Sequence, residues 1–196
     1  QTTYFYWGAS SKFQELEPEP VDFVHLATAD CIYNAKIAQI ANFVSFDPGQ
    51  DLVTYSKENL ETILSHTDIL FANRHEIQRV MEMTGKSFSE LKSLINTIVV
   101  TYDSQGSKIH THEGEFIIPV VSVKAVDPTG AGDAYRAGFL LALTRGYSIP
   151  TCGKIGSTVA SFAVQARGCQ TDLPTWEEME ARYEANFGEL KKSKSI

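Results

Sequence analysis

The sequence predicts an α/β fold: a mostly parallel central sheet with helices on both faces. Short apolar runs rich in β-branched residues, such as T-I-V-V-T at 97–101, are typical of buried strands. Segments of ten or more residues with apolar positions at helical spacing lie between these runs, as at 56–66 and 73–84. Strands that alternate with helices of this length are characteristic of a parallel sheet that is covered on both faces.

Each element can be placed from its residue pattern and its end signals. The predicted strands cover residues 2–8, 21–27, 42–46, 68–72, 97–101, 108–111 and 115–120. The predicted helices cover 31–41, 56–66, 73–84, 151–166 and 175–187. A short helix is predicted from Ser87 or Ser89 to about 95, and another follows Asp133 and ends at Gly146. Ser56 and Asn73 are of the types that begin helices, and Gly85 is of the type that ends them.

Composition and charge indicate an ordinary globular protein with one core. The chain has 196 residues, of which 43% are hydrophobic and 21% charged, so we expect a single domain over 1–196, with 189–196 as a disordered tail. The formal charge of −7 argues against binding to nucleic acid or anionic membranes, and no apolar run reaches membrane-spanning length. Cys31, Cys152 and Cys169 are odd in number and lack metal-binding spacing, so we expect reduced thiols in a cytoplasmic protein.

The stretch D-P-T-G-A-G-D at 127–133 predicts an anion-binding turn. Its proline and two glycines exclude a regular helix, and an apolar helical run follows. A glycine-rich turn that leads into a helix presents unpaired N–H groups at the positive end of the helix dipole, which suits a phosphate or a developing oxyanion. Asp133 would repel a phosphate unless it takes the proton from an attacking hydroxyl while the N–H groups of Gly130, Ala131 and Gly132 hold the charge. The alternative is that Asp133 only favours the helix start.

This stretch, continued as D-P-T-G-A-G-D-A-Y-R-A-G-F, resembles the C-terminal signature of the ribokinase (PfkB) carbohydrate kinase family. Two further blocks, F-D-P-G-Q-D-L at 46–52 and G-C-Q-T-D-L-P-T-W at 168–176, are similar to the archaeal nucleoside kinase branch of that family. The resemblance implies that Asp133 is the general base and that the Gly-Ala-Gly amides form the anion hole. It also implies that an N-terminal portion is absent, which in the family supplies the first strands, most of the lid and much of the acceptor-binding surface.

Two further motifs resemble the metal and nucleotide motifs of the family. N-R-H-E, which begins at Asn73, has the N-x-x-E form and implies that Glu76 organises Mg²⁺ beside the nucleotide, with Asn73 among the nucleotide-binding residues. Taken alone, this motif fits a helix capping box as well. Thr101 and Gly106 match the ends of a T-x-G-x-x-G nucleotide loop, but Asp103 replaces its first glycine. Asp tolerates the left-handed conformation better than most residues, so we expect the turn to survive.

A third region, Asp127 with 163–168, resembles the monovalent-cation loop of the family and implies a K⁺ site, with Gly168 also at the nucleotide. The alternative is a helix that ends at Gly168. Asp47 is either a turn former or a polar group that faces phosphate. Arg136 either reaches phosphate or forms a surface salt bridge.

The resemblance implies a phosphotransferase that uses Mg²⁺ and ATP, or another nucleotide, and transfers the γ-phosphate to a hydroxyl of a nucleoside or a sugar. We expect small-molecule partners, no nucleic acid and no membrane, and the family's lid implies a homodimer. The alternatives are a kinase for ribose, fructose-phosphate or ketodeoxygluconate, a nucleotide-binding fragment that no longer catalyses, and a structural α/β domain in which the turn is empty.

Overall fold

The computed structural model describes residues 8–192, which contain six strands and seven α-helices. The strands are β1 (Val24–Leu26), β2 (Val44–Phe46), β3 (Ile69–Asn73), β4 (Thr97–Thr101), β5 (Ser107–Thr111) and β6 (Gly114–Ile118). The helices are α1 (Cys31–Ala38), α2 (Lys57–His66), α3 (Arg74–Thr84), α4 (Phe88–Leu94), α5 (Ala131–Thr144), α6 (Ile149–Ala163) and α7 (Trp176–Phe187). The strand predicted at 2–8 lies outside the described residues except for Gly8, which begins a 3₁₀ helix instead.

The chain divides into two compact units. The first runs to Val100 and also contains His110–Gly114, and the second contains Thr101–Ile109 and the residues from Glu115 onward. The expectation of a single domain stays a prediction. The disordered tail also stays a prediction, because 193–196 lie outside the described residues, although 189–192 form neither helix nor strand. Among the described helices, none combines the length and the hydropathy needed to span a bilayer.

The first unit is built on parallel strands. Strands β1 to β4 are neighbours in sequence order, and β2 pairs in parallel with both β1 and β3. Helix α1 connects β1 to β2, and α2 connects β2 to β3, which are the crossover connections that parallel strands require. Strands β2, β3 and β4 are almost entirely buried, as expected of strands with covered faces. The prediction of an α/β fold with a mostly parallel sheet is confirmed.

Helices in this unit begin at the capping residues that the sequence indicates. The Ser56 hydroxyl accepts a hydrogen bond from the backbone N–H of Asn59, and Ser87, rather than Ser89, caps α4. Gly85 ends α3 with a left-handed φ of 73°. An N-terminal cap is worth about 1 kcal/mol, so Ser56 and Ser87 stabilise the helix starts at these positions.

Helices α5 and α6 pack closely in the second unit. An ideal Cβ on Gly138 of α5 would lie 2.8 Å from Cγ2 of Val159, and one on Gly156 of α6 would lie 2.7 Å from the backbone oxygen of Tyr135. Both glycines are therefore needed for this approach, since real Cβ atoms are not found so close to other atoms. Phe139 of α5 is completely buried. The close approach of the two helices positions the first turn of α5, which carries the candidate site.

Helix α6 ends three residues earlier than predicted. The sequence pattern predicts a helix to 166, but α6 ends at Ala163. The carbonyl oxygen of Val164 accepts hydrogen bonds from the backbone N–H groups of Val126 (2.7 Å) and Asp127 (3.2 Å). This contact with a distant segment replaces the last turn of the helix, so the local pattern could not reveal it.

Candidate active site

The predicted anion-binding turn leads directly into α5. Gly130 is the N-cap residue of α5, with φ 79°, and no side chain caps this helix. The N–H of Ala131 donates to the carbonyl of Pro128 at 3.2 Å, so this amide also takes part in the turn. The N–H groups of Gly130 and Gly132 make no hydrogen bond with the part of the chain that the structure describes. The helix start therefore offers open donors to an anion.

Gly130 is held in place by a close contact with the segment after α6. An ideal Cβ at this position would lie 2.3 Å from Cβ and 3.0 Å from Cα of Cys169. Only glycine fits here, because the backbone is left-handed and the space is already filled. Cys169 itself is exposed. This contact could not be predicted from local patterns, since Gly130 and Cys169 are far apart along the chain.

Asp127 joins the same two segments through its carboxylate. Its Oδ1 accepts a hydrogen bond from the N–H of Thr129 (3.0 Å), and its Oδ2 accepts one from the N–H of Gly168 (3.1 Å). Hydrogen bonds from Thr129 and then Gly168 lower the pKa of Asp127 to about 2, because they favour the ionised form. The alternative that Gly168 ends a helix is wrong, since α6 ends at Ala163. The structure therefore brings Asp127, Gly130 and Gly168 together.

Asp133 lies in the first turn of α5 and faces solvent. Its side chain is 75% exposed. Its Oδ1 accepts a hydrogen bond from Nη2 of Arg136, three residues further along the helix. Of the two predictions for Arg136, the salt bridge is confirmed. The three-residue spacing is the signal for this pair, because side chains at that separation are neighbours on a helix.

The predicted nucleotide loop is a tight turn between β4 and β5. Asp103 has φ 52° and is the one non-glycine residue with positive φ in the described range 8–192. The expectation that Asp would keep the left-handed turn is confirmed. Gly106 has φ 89°, and an ideal Cβ there would lie 2.1 Å from the carbonyl oxygen of Ile118. The next residue, Ser107, shares a hydrogen bond of 2.8 Å with the hydroxyl of Tyr135 on α5. This bond connects the end of the loop to α5.

The first unit holds the predicted metal motif at the end of β3. Asn73 caps α3, and its Oδ1 accepts from the N–H groups of His75 (2.8 Å) and Glu76 (2.9 Å). Glu76 Oε2 accepts from the N–H of Asn73 at 2.7 Å, which completes a capping box. The capping interpretation is thus correct. It leaves Oε1 of Glu76 without a hydrogen bond to any described residue, so the same side chain could also face a hydrated cation.

Two carboxylates follow β2 in this unit. Asp47 is 2% exposed, and its Oδ1 accepts from the N–H of Gly49 at 2.7 Å, which confirms the turn-forming interpretation. Asp51 was not singled out from the sequence. It is 5% exposed, its Oδ2 has no hydrogen-bond partner in the described residues, and burial raises its pKa. A buried and unpaired carboxylate is costly, but nothing in the residue pattern distinguishes it from a surface Asp.

The fold and the turn together define an α/β protein with open amide donors at a helix start and an exposed carboxylate beside them. The family model of the pfkB family carbohydrate kinases matches residues 1–176. The chain belongs to this family, so the resemblance stated from the sequence is confirmed. A nucleoside kinase of Methanocaldococcus jannaschii is 46% identical over 190 residues, which cover 94% of this chain and 63% of that protein.

Solved structures of nucleoside kinases share the fold. The crystal structure of Methanocaldococcus jannaschii nucleoside kinase matches with a TM-score of 0.89 and 45% identity, over 94% of this chain and 64% of that one. A Burkholderia thailandensis nucleoside kinase in complex with ADP-inosine matches with a TM-score of 0.85 and 27% identity, over 94% and 59% of the two chains. The chain therefore spans slightly less than two thirds of the length of these relatives.

Proposed function

We propose that the chain is the catalytic part of a nucleotide-dependent phosphotransferase that transfers the γ-phosphate of ATP to a hydroxyl group of a nucleoside. The observation that carries the proposal is Asp133, an exposed carboxylate in the first helical turn after Gly130, where amide donors are open. Family membership and the nucleoside kinases among its relatives support the reaction and the acceptor class. A sugar acceptor is the alternative, because ribokinases are also similar to this chain.

In the proposed reaction, Asp133 takes the proton of the acceptor hydroxyl as the hydroxyl oxygen attacks the γ-phosphorus. The bond between that phosphorus and the β–γ bridging oxygen breaks, and the nucleoside diphosphate leaves. The amides of Gly130, Ala131 and Gly132 stabilise the negative charge on the transferred group. Positioning and electrostatics supply the catalysis, since the protein forms no covalent bond with the phosphoryl group.

Thr101, Gly106 and Gly168 of the second unit would contact the nucleotide, whose phosphate charge Mg²⁺ would neutralise. For the first unit, nucleotide binding by Asn73 and a water-mediated role of Glu76 at Mg²⁺ stay predictions from the sequence motif. The described residues contain no cluster of three or more His, Cys, Asp or Glu that could hold a metal. Mg²⁺ keeps several waters and is held largely by substrate phosphates rather than by an all-protein cage, so the proposal does not depend on such a cluster.

We also propose a K⁺ site beside Asp127. Oxygen ligands suit this hard cation. Asp127 is an ionised carboxylate that joins the turn at 127–133 to the segment at Gly168. Both of its oxygens already accept an N–H bond, so backbone carbonyls would supply most of the ligands. The cytoplasmic location and the homodimer also stay predictions. Cys31, Cys152 and Cys169 are all free thiols, as expected of a reduced compartment.

The test is direct transfer of phosphate by the 196-residue chain. ATP labelled at the γ-phosphate is incubated with Mg²⁺ and either inosine or ribose, and products are separated by chromatography while calorimetry measures ATP binding. We expect label on inosine, in preference to ribose. Label on ribose alone would establish the sugar alternative. ATP binding without transfer to any acceptor would show a nucleotide-binding module, and no binding would overturn the proposal.

A further inference from the structure

The guanidinium of Arg136 lies at the end of the turn at 127–133, which we call the signature turn. Its Nη2 bonds to Oδ1 of Asp133, and its Nη1 lies beside Gly132, where an ideal Cβ would sit 3.4 Å from it. The Arg136 side chain is only 21% exposed, whereas that of Asp133 is 75% exposed. A largely covered cation therefore contacts a solvent-facing carboxylate and lies beside Gly132 at the start of α5.

We propose that Arg136 is a positioning residue that orients Asp133, holding Oδ1 so that Oδ2 is the oxygen that receives the proton of the acceptor hydroxyl. This inference rests on the proposed function and adds a residue to it. Oδ2 accepts no hydrogen bond from the residues that the structure describes, so it is open to a substrate. An exposed carboxylate that no group restrains samples several rotamers, and most of these do not point at the acceptor.

The chemistry of arginine suits this role. Its planar fork presents two nitrogens at fixed geometry, so one can hold Asp133 while the other lies against Gly132. Lysine presents a single point charge and cannot hold Asp133 with one nitrogen while a second nitrogen lies beside Gly132. A salt bridge with one exposed partner adds little to stability, so the effect of this pair is on the geometry of the carboxylate.

The experiment compares the phosphate-transfer kinetics of the wild-type chain with Arg136→Gln and Arg136→Lys. We expect Arg136→Gln to lower kcat about 10–100-fold, the cost of a misplaced catalytic group, with KM for ATP and for the acceptor unchanged. Arg136→Lys should recover part of that loss. The control is Arg79→Gln, which removes an exposed pair of the same spacing, Arg79 with Glu82, and should leave kcat unchanged. A rise in KM for ATP with kcat intact would show a phosphate contact and overturn the proposal.

The double variant separates positioning from a general structural effect. If Arg136 acts through Asp133, adding Arg136→Gln to Asp133→Asn should not lower the residual rate further. A further fall of the same size as in the wild-type background would overturn the inference while leaving the proposed function intact. Loss of transfer in the wild-type chain would instead be a failure of the proposed function.

A measurement without turnover tests the contact itself. Nuclear magnetic resonance of the Arg136 guanidinium should show rotation about its Cζ–Nε bond that is slower in the wild-type chain than in Asp133→Ala. Fast rotation in the wild-type chain would overturn the inference whether or not the chain transfers phosphate.

Discussion

Replacing Gly130 with alanine tests whether the signature turn depends on its contact with Cys169. Gly146, at the other end of α5, is a matched control. The φ angles of the two glycines are 79° and 80°, and no heavy atom lies within 4 Å of an ideal Cβ on Gly146. Both substitutions force alanine into left-handed backbone, which costs about 1–2 kcal/mol. Only at Gly130 must the new methyl group also displace a neighbour.

The additional cost at Gly130 follows from the distance. The new Cβ would lie 2.3 Å from Cβ of Cys169. Carbon atoms in contact sit about 3.5–4.0 Å apart, so the two segments must separate by roughly 1 Å or more. Overpacking of this kind costs about 1–3 kcal/mol. We therefore expect Gly130→Ala to lower the free energy of unfolding by about 2–5 kcal/mol, and Gly146→Ala by about 1–2 kcal/mol.

Urea unfolding, followed by circular dichroism, measures the free energy of unfolding of each variant and of the wild-type chain. A difference of 1 kcal/mol corresponds to about 2–4 °C in Tm for a chain of this size. Cys169→Gly removes the side chain that clashes, so adding it to Gly130→Ala should recover part of the loss. Equal losses at Gly130 and Gly146, or no recovery in the double variant, would refute the claim that this contact shapes the turn.

Three further predictions follow from individual residues. The pKa of Asp127, about 2, lies below the ordinary aspartate value of 3.8, so its hydrogen bonds stabilise the fold fully above pH 3.8, and this stabilisation is lost as pH falls through 2. Asp127→Asn should speed hydrogen exchange of the Gly168 amide at pH 6, and unchanged exchange would contradict this. Gly106→Ala should lower Tm more than Gly188→Ala. The new Cβ at Gly106 would lie 2.1 Å from a carbonyl oxygen, whereas a Cβ at Gly188 meets no heavy atom within 4 Å. Equal shifts in Tm would contradict this prediction. Burial raises the pKa of Asp51, so ionisation of this carboxyl group destabilises the fold as pH rises above 3.8. The gain in Tm from Asp51→Asn should therefore be largest near pH 8 and vanish below pH 3.8. A gain in Tm that is independent of pH would contradict this cause.

The parts of the fold that local chemistry controls could be predicted from the sequence. Ser56 and Asn73 cap helices because a short polar side chain satisfies the first free N–H groups, and this needs only neighbouring residues. The left-handed turn at Asp103 was predictable for the same reason. The turn at 127–133 that precedes α5 could be located because glycine and proline exclude a regular helix there.

Contacts between distant segments could not be predicted. The approach of Cys169 to Gly130 and the hydrogen bond from Gly168 to Asp127 depend on how α5 and α6 pack. The early end of α6 depends on a partner for the Val164 carbonyl that lies in a separate segment. Burial of Asp51 likewise comes from its surroundings, since its own residue type predicts exposure.

The rate of phosphate transfer by Asp133→Asn tests most directly whether Asp133 is the general base. The control is Glu177→Gln, an exposed acidic residue in the first turn of α7. Removing a general base should lower kcat by about 10²–10⁴-fold, while ATP binding measured by calorimetry stays close to that of the wild-type chain. Glu177→Gln should transfer phosphate at the wild-type rate. A kcat for Asp133→Asn equal to that of the wild-type chain would remove Asp133 from the mechanism and contradict the proposed function of this turn.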